Sequence, residues 1–325
     1  MSSLVCPRCF RGLIVNDGTL VDSLGHRFPI RSRVPRFVDS AGYTENFSLQ
    51  WNRFSRTQLD SQDNTLSSQR FWAETGWSRV ALNGVDVLEV GSGAGRFSRV
   101  LLAESKARLF SIDYSESVTA NLSNNSYYVD NGRLVLAQAS IYDLPFTDNS
   151  FDYAFCLGVL QHTPDFKDSL RCLIDKLSPG GQLVVDFYPI NGWWTKISAK
   201  YLLRPLLKRL SPKMLLQFVR LIVPVSIIIY KVLTLIGLNK ATRFLPICDI
   251  DATLPSNLSK EQLIEWCVLD TFDMFSPRYD HPQRIETVAK WVNELGADVT
   301  FAGFVDFADS NRAAVVRAVK RRPNA

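Results

Sequence analysis

The chain reads as an α/β protein built on a doubly wound, mostly parallel sheet, and three observations carry that reading. From residue 85 onward, strand-like and helix-like stretches alternate, which is how a parallel sheet covered by helices on both faces is written in sequence. Within Val85–Ser98, VDVLEVGSGAGRFS, an apolar strand runs into a glycine turn and then a helix that starts near Gly95. The third observation is Asp113, an acid ending the next strand 22 positions after Gly91.

The 325 residues suffice for one large domain or two ordinary ones, and 46% apolar with 21% charged residues excludes a disordered chain. Six cysteines, with Cys156, Cys172, Cys248 and Cys267 scattered, make no disulfide framework. Met1-Ser2-Ser3 lacks a basic and apolar leader, so the expected home is a reducing cytoplasm.

Residues 1–38 are expected to form a small ribbon. Cys6-Pro-Arg-Cys9 is a zinc-type knuckle, and the corresponding turn offers Asp22 and His26. Cys6, Cys9, Asp22 and His26 are chemically able to hold zinc; a ribbon that keeps its fold without metal is the other reading. Residues 39–79 form a helical cap in which Phe47, Trp51 and Phe54 recur at helical spacing as core residues. Residues 80–190 hold the core: strand 85–90, helix 95–104, strand 108–112, helix 116–125, strand 134–137, strand 153–157, helix 166–177 and, after the turn Ser178-Pro-Gly-Gly181, strand 182–187.

Residues 191–265 form a basic helical insertion or lid. Between Asp186 and Asp249 no carboxylate occurs, while ten Lys and Arg do, which leaves the rest of a +5 chain at −5. Leu202, Leu203, Leu206, Leu207 and Leu210 share one helical face and Arg204 and Lys208 another; Leu221–Leu238 is apolar but for Lys231. Three readings stand: a lid packed on the core with a solvated basic edge, attachment of residues 193–245 to an anionic membrane surface, and a membrane span that Pro224 and Lys231 would interrupt. Residues 266–325 close the chain. Ser259 opens a short helix to Cys267, His281-Pro282 starts a helix ended by Gly296, and strands 298–307 and 313–319 form a final hairpin, with 269–283 placed over the substrate pocket.

The glycine turn is E-x-G-x-G-x-G, with Arg96 where a dinucleotide fingerprint has its third glycine. Together with Asp113, the run Asp143-Leu-Pro-Phe-Thr-Asp-Asn-Ser-Phe-Asp152 and the Pro-Gly-Gly turn, it resembles the class I S-adenosylmethionine (SAM) methyltransferases of the type 11, UbiE-like group. The ribbon and its FPI…VP.FV strand resemble the segment that precedes the methyltransferase domain in many bacterial enzymes. The resemblance implies a Rossmann-like seven-stranded sheet with an antiparallel last strand. It implies SAM held by Glu89, Gly91, Ser92, Gly93, Gly95, Asp113, Tyr114, Ser140, Ile141 and Leu157, with Ser140 where the group has an acid. It also implies that a helix in the cap borders the cofactor, with Tyr43 or Trp51 at its edge. His162, after the fourth strand, is the candidate general base and His281 the second. The implied acceptor is a small or lipid-linked metabolite, with localisation in the cytoplasm or at the inner membrane face. An rRNA guanine methyltransferase with a zinc ribbon is an alternative that Asp22 and the apolar run speak against, and a SAM-binding scaffold without turnover is another.

Overall fold

The computed structural model describes residues 4–38, 42–62, 64–308 and 311–322. The opening Met1–Ser3 and the expected ribbon-to-cap boundary at 38/39 touch residues outside this set. Four short strands, β1 (Ile14–Asn16), β2 (Thr19–Val21), β3 (Arg27–Arg31) and β4 (Val34–Pro35), make an antiparallel ribbon around Cys6, Leu20 and Phe28. The ribbon is fastened to the core: Phe37 N–H donates to Gln138 O at 2.8 Å, and the buried Arg36 guanidinium bonds the Gln138 side chain at 2.9 Å and pairs with Glu116 at 3.0 Å. Helices α1 (Glu45–Arg53) and α2 (Leu66–Thr75) follow as the cap.

The core runs β5 (Asp86–Val90), α3 (Arg96–Glu104), β6 (Arg108–Asp113), α4 (Val118–Asp130), β7 (Leu134–Gln138), β8 (Phe151–Cys156), α5 (Phe166–Lys176) and β9 (Leu177–Phe187). Side-chain alternation sends Leu88 and Val90 of β5 into one apolar layer and Val87 into the other, so helices cover the sheet on both sides. After β9 come α6 (Ala199–Leu207), α7 (Pro212–Leu235), α8 (Ile250–Thr253) and α9 (Lys260–Phe275), then α10 (Ile285–Glu294), β10 (Ala297–Phe307) and β11 (Asn311–Lys320). The seven-stranded order is β10-β11-β9-β8-β5-β6-β7, and β11 runs antiparallel to both neighbours. This is the doubly wound Rossmann-like sheet with an antiparallel last strand.

Four expected boundaries move. The helix expected at 116–125 runs on to Asp130. The helix opened by Ser259 does not stop at Cys267 but continues to Phe275, because Trp266, Leu269, Phe272 and Phe275, spread round the helix, all bury in the apolar cluster it shares with α7. The Pro-Gly-Gly turn is absorbed into β9, whose pairing with β8 shifts register between Phe151 and Tyr153. The helix expected at His281 starts at Ile285, since Gln283 pairs in extended form with Pro189.

In α6 the basic face is not wholly the solvated edge of the lid reading. Leu202 and Leu206 are 61% and 65% exposed, whereas Arg204 is 7% exposed and donates to the carbonyls of Met274 (3.3 Å) and Pro277. The reason is the α9–α10 connection beneath, whose carbonyls lack ladder partners and draw in the guanidinium.

Candidate active site

A cavity of about 490 Å³ lies at the carboxyl edge of the sheet, between the loops after β5, β6 and β8 and the faces of α1 and α9. The turn after β5 is its floor. Gly91 sits at φ +86°, where a Cβ would lie 2.2 Å from Val159 Cγ2, and a Cβ on Gly93 would lie 3.1 Å from the Trp51 ring. The missing side chains let Val159 and the Trp51 ring pack directly on the turn. The Asp113 carboxylate accepts from Gly93 N–H (2.8 Å), Ser115 N–H (2.8 Å) and Ser115 Oγ (2.7 Å), which locks the end of β6 to the glycine turn. Lone-pair capacity remains on that carboxylate for sugar hydroxyls.

Of the ten expected cofactor residues, Gly91, Ser92, Gly93, Asp113, Tyr114, Ile141 and Leu157 line the cavity. Glu89, Gly95 and Ser140 stand behind the wall. Glu89 accepts from Ser98 Oγ and from Ser111 Oγ at 2.7 Å, and burial pushes its carboxyl up to about 7. A Cβ on Gly95 would lie 2.2 Å from Asn121 Oδ1, and Ser140 Oγ accepts from Tyr142 N–H at 3.1 Å. The cap reaches further in than its spacing suggested. Tyr43, Phe47, Gln50, Trp51 and Phe54 all border the cavity, and Tyr43 stacks on Tyr114 at 5.2 Å and meets Tyr279 edge-on. Tyr43 and Trp51 thus both border the cavity; of the three residues expected in the core, Phe54 is buried there, Trp51 packs at its edge and Phe47 meets the His162 ring at 5.3 Å.

The second end of the cavity holds His162, Gln161, Tyr188, Lys200 and Asp273. His162 is 5% exposed, and its Nδ1 lies 3.1 Å from the Tyr279 carbonyl. A carbonyl only accepts, so Nδ1 carries the proton and Nε2 keeps its lone pair. Burial lowers the imidazole below its ordinary value of 6.5, which keeps it neutral. His162 Nε2 and both amide atoms of Gln161 are buried without a partner, and so is Ser92 Oγ in the glycine turn. Tyr188 donates to Asp273 at 3.0 Å and Gln50 donates to the other oxygen at 3.1 Å, tying β9, α9 and α1 together. Burial, then Asp273, hold the Tyr188 phenol well above 10, so it stays protonated. Lys200 pairs with Asp280 at 3.1 Å and lies 4.2 Å over the Tyr188 ring. His281 stacks on Tyr279 but does not line the cavity; its N–H donates to Gln161 O at 2.8 Å. Arg70, paired with Glu74 at 2.6 Å and with Asp186, closes the deep side, and Asp186 also accepts from Gly158 N–H. Gln161, Tyr188, Lys200 and Arg70 escaped the sequence reading because they come from separate elements and follow no motif; only the position of Gln161 beside His162 hinted at them.

The ribbon brings Cys6, Cys9, Asp22 and His26 together, with one donor atom from each within 4.8 Å of the others. Cys6 Sγ and Cys9 Sγ lie 3.6 and 3.9 Å from His26 Nδ1. Ligands on a shared tetrahedral zinc, with Zn–S about 2.3 Å and Zn–N about 2.1 Å, stand about 3.6 Å apart. The 2.6 Å His26–Asp22 contact is a hydrogen bond that a shared ion would open.

Residues 88–185 match the family model described as a methyltransferase domain. A tRNA U34 carboxymethyltransferase of Pseudoalteromonas atlantica is 29% identical over 121 residues, 36% of this chain and 37% of that protein. A ubiquinone biosynthesis O-methyltransferase of Pseudomonas entomophila is 35% identical over 116 residues, 35% and 47% of the two chains. Phosphoethanolamine N-methyltransferase 2 of Caenorhabditis elegans is 28% identical over 105 residues, 32% and 24%. The chain thus spans a quarter to a half of the length of these relatives. With that match, on a seven-stranded sheet of this order, residues 88–185 are a SAM-dependent methyltransferase domain of class I.

Proposed function

We propose that this protein moves the methyl group of SAM to an oxygen or nitrogen of a small or lipid-linked metabolite, with His162 as the general base. SAM supplies a carbon already activated by its sulfonium, so the protein chiefly aligns donor and acceptor and excludes water. The observation that carries the reading is the buried, unprotonated Nε2 of His162 in the acceptor end of the cavity, held in that tautomer by the Tyr279 carbonyl. Such a nitrogen takes a proton from a hydroxyl or amine as the methyl group arrives. Gln161 offers both a donor and an acceptor to orient the acceptor, and the aromatic walls from Phe47 and Tyr188 suit a flat or apolar body. The O- and N-methyltransferases among the relatives agree with this chemistry, and the tRNA-modifying relative marks the alternative acceptor. The spacing of the ribbon donors supports a structural zinc on Cys6, Cys9, Asp22 and His26.

The test is transfer of labelled methyl from SAM to a cell extract split into lipid, RNA and small-molecule fractions. Label in the lipid or small-molecule fraction is the expected result. Label in RNA, with binding that weakens steeply in salt, would make a nucleic acid the acceptor. SAM uptake by calorimetry without transfer to any fraction would leave a binding protein without turnover.

A further inference from the structure

The insertion after β9 carries a surface that the cavity does not use. Of the 23 large apolar side chains exposed among the described residues, 16 fall between Trp193 and Phe244. Soluble monomers rarely leave so much apolar surface contiguous. These residues sit on neighbouring elements, since α6 packs on the 3₁₀ segments at 193–196 and 239–244, α7 packs on the latter, and Arg243 donates to Trp194 O at 2.7 Å.

Helix α7 shows what the surface is for. Its 24 residues reach a mean hydropathy of 2.0 in the most apolar window, yet only 28% of that window is buried. One stripe, Leu215, Val219, Val223, Ile227 and Tyr230, packs inward against α9. Leu221, Val225, Ile228, Val232 and Leu235 form a second stripe at the same 3–4 spacing, and each is at least half exposed. At about 100° per residue the two stripes face opposite ways. On the same wheel the exposed Lys213, Arg220 and Lys231 all fall about 80–100° to one side of the outer stripe, along a single flank. On α6 the exposed Leu202 and Leu206 continue the apolar surface, with Trp193 and Trp194 at its start.

We propose that this face docks flat on an anionic bilayer, with the outer stripe of α7, the α6 leucines and the tryptophans in the interface and the basic flank at headgroup level. Charge selects the occupant. Eight of the ten Lys and Arg between residues 187 and 248 are exposed, and no carboxylate lies among them. Two copies meeting through this face would set Lys213, Arg220 and Lys231 of each beside one another, with no carboxylate from this segment to pair them. The inner stripe argues against a span, because a helix packed on its own domain from Leu215 to Tyr230 lies on that domain. The docking stands on the surface alone and does not depend on what the cavity methylates. It also leaves α6 with Lys200 on the cavity and its leucines on the lipid.

The experiment is cosedimentation of the full chain with phosphatidylcholine vesicles, with and without phosphatidylglycerol. Binding is expected only with phosphatidylglycerol, and it should weaken in high salt. Lys213→Ala, Arg220→Ala and Lys231→Ala together should cost about a hundredfold in partitioning, at about fivefold per charge. Leu221→Glu with Ile228→Glu should abolish binding while calorimetric SAM uptake persists, which shows the variant folded. The proposal is overturned if anionic vesicles are not bound, or if the glutamate variant binds them as before. It is equally overturned if binding resists carbonate, or if the free protein is a dimer that the glutamate variant splits.

Discussion

Helices α5 and α6 are both amphipathic, and they face opposite ways. In α5, Phe166, Leu170, Leu173 and Ile174 go into the layer beneath the sheet and the charged side stays wet, with Asp165 capping the first turn at 2.9 Å. In α6 Leu202, Leu203 and Leu206 are outside and Arg204 is inside, with Leu207 alone of the leucines packed on the core. Periodicity determines that a helix has two faces; the partner on offer determines which face is buried. Beneath α5 lies an apolar sheet. Beneath α6 lie carbonyl groups at the end of α9, and they want a donor.

The contrast is open to attack where the expected effect is largest, at the core's own chemistry. His162→Ala should lower turnover about 10²–10⁴-fold with SAM uptake retained, as expected for loss of a general base. Unchanged turnover in a radiolabel assay would remove it from the reaction. On the insertion side, Arg204→Ala should destabilise by about 2–4 kcal/mol, because two buried carbonyls lose their donor. Leu206→Ala, the larger loss on a face-counting argument, should stay within about 0.5 kcal/mol in a urea melt. Equal costs at the two sites would mean that α6 is turned the other way in solution.

The ribbon sharpens the comparison differently, since its four donors come together through turns and not through an apolar stripe. Metal analysis should find zinc in the purified protein, and chelation should release it with loss of ribbon structure. Purified protein without zinc would make the cluster a hydrogen-bonded remnant. The last effect concerns Glu89. Its carboxyl is raised from 4.5 to about 7, so the folded state binds the proton more tightly than the unfolded one. Its contribution is full below about pH 4.5 and is lost as pH rises to 7. Glu89→Gln should therefore gain about 1–3 kcal/mol at pH 8 and little at pH 4. A gain at low pH instead would reverse the assigned direction.

Much of the core was legible because its signals are local. The run Val87–Val90 alternates between two buried layers, and the turn needs positive φ at Gly91, which glycine supplies at no steric cost. Asp113 ends its strand beside that turn as its spacing required. The acceptor end was far less legible. Gln161, Tyr188, Lys200 and Asp273 come from the loop after β8, the end of β9, α6 and α9, and no spacing rule links them. His162 was visible as a residue, but its tautomer comes from the Tyr279 carbonyl, 117 positions away. Helix α9 was read too short, since tertiary packing on α7 and not its own periodicity carries it past Cys267.

By itself, the order of residues determined the sheet, the glycine turn, the acid that follows it and the presence of a basic, apolar insertion. Those features depend on neighbours in sequence, where bond geometry and the 2- and 3.6-residue periods act directly. Only the tertiary structure decided that Arg204 points in, that Trp51 covers the glycine turn, and that α7 has one apolar face to bury and another to spare. Each of these depends on which surface arrives opposite, and that is set by the closing of the whole chain.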